Sequence, residues 1–161
     1  MKTAGELQIR RMVASDLDCV LALAESLPQA PHWPQSAWLN AIDPESTPRR
    51  IALVAAGPQP GSIHGLAVAS LLHPQAELET IAIAPESQRL GLGQLLFQAL
   101  SAELKSARAS EVQLEVRAAN RPALAFYQAM GFEKIGLRPS YYADPIEDAV
   151  LMSLTLAEKV P

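Results

Sequence analysis

Apolar and polar side chains alternate at period two in some stretches of this chain and fall at a spacing of three and four in others. Leu7 and Ile9 alternate with Gln8 and Arg10, which predicts a first strand over residues 6–12. Leu17, Val20, Leu21 and Ala24 lie at helical spacing, with Ser15 as the expected N-cap, Asp16 and Asp18 in the first turn, and Pro28 as the stop. Prolines punctuate residues 28–49, interrupted by a short helix from Ser36 to Ile42. Arg50–Ala56 and Ile63–Leu72 are apolar runs joined by Gly57-Pro58-Gln59-Pro60-Gly61, a hairpin signal, and Glu77–Ala84 reads as the next strand. Leu92, Leu95, Leu96, Ala99, Leu100 and Leu104 draw one buried stripe along a helix from Gly91 to Ala107. In Glu111–Arg117, Val112, Leu114 and Val116 alternate with polar residues, so one face packs and the other stays polar. Asn120 caps a further helix, with Pro122 in its first turn and Gly131 just past its end. Phe132–Leu137 follows as a strand, residues 138–147 as a loop rich in aromatics and prolines, and Ala149–Leu156 as the last strand. The order β-α-α-β-β-β-α-β-α-β-β predicts an α/β fold, a mixed sheet with helices on both faces, in a single domain over residues 1–161.

Bulk properties narrow the function classes. A chain of 161 residues with 49% apolar content is long enough for one real core and is not of disordered composition. The formal charge of −4 argues against a broad nucleic-acid footprint and suits a basic peptide as partner. The lone Cys19 has no internal disulfide partner and no metal-ligand spacing around it, which fits a reducing, cytoplasmic setting and predicts no metal. Residues 1–12 lack the apolar stretch of a signal peptide, and no apolar run approaches the roughly 18 residues of a membrane-spanning helix. His32, His64 and His73 carry no partner pattern.

The stretch with the most chemistry in it is Ile81-Ala82-Ile83-Ala84-Pro85-Glu86-Ser87-Gln88-Arg89-Leu90-Gly91-Leu92-Gly93-Gln94, a strand, a turn and a helix entrance. First-turn N–H groups and the positive end of the helix dipole make an anion site there. Gly91 and Gly93 present no side chain to block a ligand's phosphates, and Arg89 adds charge. No Lys-Ser or Lys-Thr pair follows the second glycine, so this is no P-loop, and Leu96 stands where a dinucleotide fingerprint needs its third glycine.

Gln88-Arg89-Leu90-Gly91-Leu92-Gly93 after an apolar strand resembles the pyrophosphate loop of the GCN5-related N-acetyltransferases. Leu114–Asn120 and Ala125–Phe132 look like that family's next two motifs. The tail Tyr141-Tyr142 followed by Glu147-Asp148-Ala149 resembles the branch of ribosomal-protein alanine N-acetyltransferases. The resemblance spans about residues 6–156, and its specific matches lie in 76–152. It implies acetyl-coenzyme A as co-substrate, attacked directly by an amine. The acceptor it implies is the N-terminal alanine of small-subunit ribosomal protein eighteen. It further implies Glu115 as catalytic base and Tyr127 as proton donor. The backbone of Ile81, Ala82 and Ile83, the loop Arg89, Leu90, Gly91, Leu92, Gly93 and Gln94, and Asn120 would contact the cofactor. Tyr141, Tyr142, Glu147 and Asp148 would border the acceptor, together with Trp33 from the proline-rich segment, where Trp33 and Trp38 otherwise read as lids on the core. Leu90 departs from the pattern, which usually has a basic residue there.

The chemistry suits that division. An α-amine with a reference pKa of about 7.7–8.0 is roughly one-tenth neutral near pH 7, so a modest carboxylate suffices to guide its proton away. On residue type alone Glu115 is equally an ordinary polar-face glutamate and Tyr127 a core aromatic. Glu77 and Glu79, on the preceding strand, are rival bases. Acetylation of a small-molecule amine and a non-catalytic acyl-coenzyme A-binding module remain the alternatives, because a fold does not choose its acceptor.

Overall fold

The computed structural model describes residues 7–28 and 30–156. Glu6, where the first strand is expected to begin, and the rest of the segment 1–6 expected to carry no leader lie outside the described residues. The strands are β1 (Gln8–Arg11), β2 (Arg50–Ala56), β3 (Ile63–Leu72), β4 (Gln75–Ile83), β5 (Glu111–Arg117), β6 (Glu133–Ala143) and β7 (Ile146–Thr155). The helices are α1 (Leu17–Ser26), α2 (Gln35–Ile42), α3 (Leu92–Ser106) and α4 (Arg121–Ala129). All seven strands form one sheet in the order β1-β2-β3-β4-β5-β7-β6. Every pairing is antiparallel except β4 with β5. The predicted mixed sheet with helices on both faces is what the chain forms.

Strand alternation explains the two cores. Ile51, Leu53, Ala67, Ala69, Val112, Leu114, Val150 and Met152 point to one face, under Leu92, Leu96, Phe97, Leu100 and Leu104 of α3. Ala52, Val54, Leu66 and Val68 point to the other, under Val20 and Leu23 of α1 and Trp38 of α2. Strands β2 and β3 are therefore covered on both sides and read as continuous apolar runs. On α3 the buried stripe contains Phe97, whereas Leu95 is 40% exposed. On α1 it contains Leu23, with Leu21 only partly buried.

The structure corrects two local expectations. Ser15 is not the cap of the first helical segment: residues 14–16 form a 3₁₀ turn, and the buried Asp16 supplies the accepting carboxylate. Its Oδ2 accepts from the Val13 N–H at 2.9 Å, and its two oxygens take a fork from Arg10 at 2.7 and 2.9 Å. Residues 138–147 are not a loop: β6 runs to Ala143 and β7 begins at Ile146, leaving a two-residue turn at Asp144-Pro145. Pro139 is tolerated because the β6–β7 register shifts between Arg138 and Tyr142, where the ladder needs no N–H, and tyrosines favour strands.

The Arg10 fork holds the Asp16 carboxyl below its ordinary value of 3.8, opposed by burial and helped by the Val13 N–H. A lowered folded-state pKa stabilises the fold above the ordinary carboxylate range and ceases to do so as pH falls through the folded value. Asp16→Asn is therefore expected to lower stability by about 1–3 kcal/mol at pH 7. In denaturant titrations the gap between variant and wild type should narrow in acid; a gap that is constant with pH would contradict the assignment.

Candidate functional site

Strands β4 and β5 pair only from Gln75↔Glu111 to Glu77↔Gln113. Beyond that point β4 stays with β3 and β5 stays with β7, so the sheet opens into a wedge. A bulge at Glu79 starts the divergence, since Val68 pairs with Thr80 and Ala69 with Leu78. It also reverses parity: Ala76 and Leu78 face the α3 side before it, and Ile81 and Ile83 face that side after it.

The ladder tells which backbone groups face the wedge. Ala84 N–H donates to the carbonyl of His64, its direct opposite in register, at 2.8 Å. In an antiparallel pair the intervening residues turn their N–H and C=O outward, so Ile83 and Ile81 present theirs to the wedge and Ala82 turns its own toward β3. Gln88 Nε2 donates to the outward Ile83 carbonyl at 3.0 Å. On the opposite lip, Ala118 N–H donates to Asp148 and Leu156 N–H to Ser110. The same alternation turns Glu115 and Arg117 toward the wedge.

After β4 a 3₁₀ turn at Pro85–Ser87 leads into the loop. Arg89 takes φ 65° and Gly91 takes φ 78°, and Gly91 is the N-cap of α3. A Cβ on Gly91 would meet nothing within 4 Å, so glycine is required there by its left-handed backbone and leaves the helix entrance open. Gly93 also serves the packing: its missing Cβ would lie 3.2 Å from Phe126 Cε2, so this glycine lets α4 approach α3. Arg89 and Leu90 are exposed on the loop and Gln94 is exposed in the first turn of α3, while Leu92 is buried in the core. Asn120 caps α4, its Oδ1 accepting from the Ala123 N–H at 3.3 Å.

Glu115 projects from β5 on the face opposite Leu114 and Val116. Arg138 Nε lies 3.3 Å from its Oε1, and the Tyr141 hydroxyl donates a hydrogen bond to the same carboxylate. That hydrogen bond, then the Glu115 charge, raises the Tyr141 pKa. The Arg138 guanidinium sits 5.6 Å from the Tyr141 ring centroid and the Arg117 guanidinium 4.2 Å from that of Tyr142. Burial, followed by the Glu115 charge, raises the Tyr142 pKa. Tyr127 rises from α4 on the other face, edge-on to Phe126 and Phe132 at 5.4 and 5.6 Å. Burial pushes its phenol up to about 12, with Tyr142 adding to the shift.

A cavity of 160 Å³ adjoins Glu115, lined among others by Glu77, Gln113, Arg138, Leu72 and Leu151. Its two glutamate neighbours on β4 differ. Glu79 is held by Arg50 at 2.7 and 3.3 Å. Glu77 has no hydrogen-bond partner among the described residues, and its pKa is raised by burial of its carboxyl, then by Glu79 and Glu115.

The remaining expected acceptor residues divide. Tyr141 reaches Glu115 as described, and Tyr142 stands edge-on to Tyr141 at 5.1 Å with the Arg117 guanidinium over its ring. Glu147 and Asp148 act as acceptors within the chain. Glu147 takes Ala119 N–H at 2.6 Å and Arg117 Nη1 at 3.2 Å, and Asp148 takes Ser140 N–H at 2.8 Å. They anchor the β6–β7 hairpin. Trp33 packs on Trp38 at 4.6 Å, against the core beneath α1 and α2. Arg138 went unnoticed in the sequence because it falls in the stretch expected to be a loop; a basic residue three places before a double tyrosine was the available signal. Among the described residues no group of three or more His, Cys, Asp or Glu is placed to hold a metal ion, and no helix is long and apolar enough to cross a membrane.

Comparison with known proteins relates the chain to a family. The Acetyltransferase (GNAT) family model matches residues 13–132. The [ribosomal protein bS18]-alanine N-acetyltransferase of Escherichia coli (strain K12) is 37% identical over 101 residues, covering 62% of this chain and 68% of that protein. The crystal structure of the ribosomal-protein-S18-alanine N-acetyltransferase from Escherichia coli superposes with a TM-score of 0.80 at 27% identity, covering 96% of each chain. Chaetomium thermophilum Naa20, in complex with a bisubstrate analogue, gives a TM-score of 0.80 at 28% identity, covering 92% of this chain and 86% of that one.

The raised Glu77 pKa has a stability consequence of opposite sign to that of Asp16. A carboxyl whose folded pKa is raised destabilises the fold above that pKa, and the penalty disappears as pH falls below the ordinary value of 4.5. Glu77→Gln should therefore raise the melting temperature at pH 7 and leave it unchanged near pH 3.5 or below. A variant less stable than wild type at pH 7 would show that Glu77 has a favourable partner in the fold.

Proposed function

This chain belongs to the GNAT family of acetyltransferases, and we propose that it acetylates the α-amino group of a protein N-terminus that begins with alanine, that of ribosomal protein bS18. The observation that carries the proposal is the wedge with outward backbone of Ile81 and Ile83 on one lip and Glu115, flanked by Tyr141, on the other. Ribosomal proteins are made in the cytoplasm, which would be its place of action. The residues fit acetyl-coenzyme A, which would supply the acetyl thioester. The outward N–H and C=O groups of Ile81 and Ile83 would bind the amide-bearing arm as an added strand does. The entrance of α3, with Arg89, Gly91 and Gln94, would bind the pyrophosphate, and Asn120 would lie along its course.

Glu115 is the proposed base. An α-ammonium with a reference pKa of about 7.7–8.0 needs little help to lose its proton near pH 7, whereas a lysine near 10.4 needs some three units more. Tyr141 and Arg138 orient the carboxylate, and an arriving ammonium would compete with Arg138 for it. Glu77, without a hydrogen-bond partner and with a raised pKa, is the remaining candidate for moving that proton onward. Tyr127 keeps its proton on Oη at neutral pH. A phenol at about 12 is a weaker acid than a thiol near 8.5 by about 5 kcal/mol, so its part is to donate a hydrogen bond to the departing sulfur. Tyr141, Tyr142 and Trp33 are the proposed walls for the first residues of the peptide. Glu147 and Asp148 would contribute by holding those walls.

Coenzyme A release tests the reading. An Ala-Arg-starting peptide should be acetylated at its α-amine, and the same peptide blocked at its N-terminus but carrying a lysine should be inert, as should a polyamine. Glu115→Gln should lower kcat by roughly 10²–10⁴, with acetyl-coenzyme A affinity retained in calorimetry. Tyr127→Phe should slow turnover with little change in binding. Acetyl located on lysine by mass spectrometry, or equal rates with polyamines, would leave the family assignment and remove the N-terminal acceptor. A fully active Glu115→Gln beside an inactive Glu77→Gln would move the base to β4.

A further inference from the structure

His64 lies outside everything assigned above, yet it joins three parts of the structure. It is the extra residue of a bulge in the β2–β3 pairing, where Ala56 pairs with Ile63 and Ala55 with Gly65. The bulge leaves its carbonyl to extend the β3–β4 ladder, accepting from the Ala84 N–H at 2.8 Å. Its ring lies between two serine hydroxyls, with Ser62 Oγ 2.8 Å from Nε2 and Ser87 Oγ 2.9 Å from Nδ1. Ser87 is 5% exposed and ends the 3₁₀ turn that delivers Gln88, Arg89 and Gly91. Room for this arrangement comes from Gly57, where a Cβ would lie 2.5 Å from Ser62 Oγ and 3.2 Å from His64 Nε2.

We infer that His64 is a positioning residue for the loop that takes the pyrophosphate of acetyl-coenzyme A, acting through the Ser87 hydroxyl. The inference rests on the proposed role of that loop. A neutral imidazole has one donor and one acceptor nitrogen, and each serine hydroxyl can serve either, so the three groups satisfy one another in both tautomers. The backbone carbonyl and the ring of one residue thus grip the turn at Ala84 and at Ser87. Between those grips and the α3 N-cap lie residues 88–90, including the left-handed Arg89. Helix N–H groups bind an anion well only when they converge on it, so holding the turn sets the loop's affinity and leaves Glu115 and Tyr127 untouched.

The test compares acetyl-coenzyme A with S-acetylpantetheine, which has the thioester and lacks the pyrophosphate. Wild type should show a much lower KM for acetyl-coenzyme A. In His64→Ala and in Ser87→Ala that KM should rise by roughly five- to tenfold, the scale of one lost hydrogen bond. The S-acetylpantetheine KM, the kcat at saturation and the peptide KM should stay within about twofold, since no group the variants alter touches them. His64→Asn places an amide near Nδ1 and should restore the acetyl-coenzyme A KM, whereas His64→Gln, whose amide lies near Nε2, should not. Wild type that fails to distinguish the two thioesters would remove the loop's role and the inference with it. Wild type that distinguishes them, with His64→Ala and Ser87→Ala retaining its full preference, would overturn the inference alone. Equal rescue by Asn and Gln would overturn it too, because the Ser87 contact would then not be the one that matters.

Discussion

The parting of β4 from β5 after Glu77↔Gln113 opens the sheet and sets where every group of the site can stand. Within a closed ladder every strand N–H and C=O would have a partner, and leaving such groups open is unfavourable unless water or a ligand takes them. Here the parallel ladder ends after Glu77↔Gln113 because Glu79 is an extra residue and bends β4 away. Ile81, Ile83, Glu115 and Arg117 then present backbone to the gap. The flanking pairings hold the gap open: β4 is bound along β3, β5 along β7, and α3 packs across β2, β3 and β4. The opening is thus a property of the whole sheet.

Polar and apolar chemistry approach that gap from opposite faces. The α3 side brings Tyr127 out of an aromatic cluster with Phe126 and Phe132, where burial keeps its phenol protonated. The α1 and α2 side carries the row Glu77, Gln113 and Glu115, with Arg138 and Tyr141 arriving from β6. A second bulge, in β6, makes that arrival possible. Ser140 takes φ 52° there, and its N–H is held by Asp148. The β4 lip and the β6 side chains that reach the β5 lip are therefore both shaped by extra residues in strands.

Much of this was legible in the residues. The succession of strands and helices along the chain, the α3 stripe, the Asn120 cap and the loop at Gln88–Gly93 are local patterns, and local patterns survive folding when packing agrees with them. What was not legible depends on register. Whether Glu79 or Glu77 is free is decided by where the bulge falls and by Arg50, which is distant in sequence. Of the turn-favouring prolines in 138–147, Pro145 does mark a turn, but Pro139 lies within β6, where tertiary context outweighed the loop signal. The packing reason for Gly93 was hidden because the phenyl ring of Phe126, which would meet its side chain, belongs to another helix. His64 had no sequence partner because Ser62 and Ser87 meet it only once β3 and the 3₁₀ turn are docked.

In the proposed function the backbone of β4 at the wedge would receive the acyl donor's arm. Amide hydrogen exchange resolved to single residues, with and without saturating acetyl-coenzyme A, tests it most directly. Exchange should slow among the outward amides at Ile81 and Ile83, with no comparable change at Ala82, whose N–H already faces β3. Bound donor, shown by calorimetry, with exchange at Ile81 and Ile83 unchanged would contradict it.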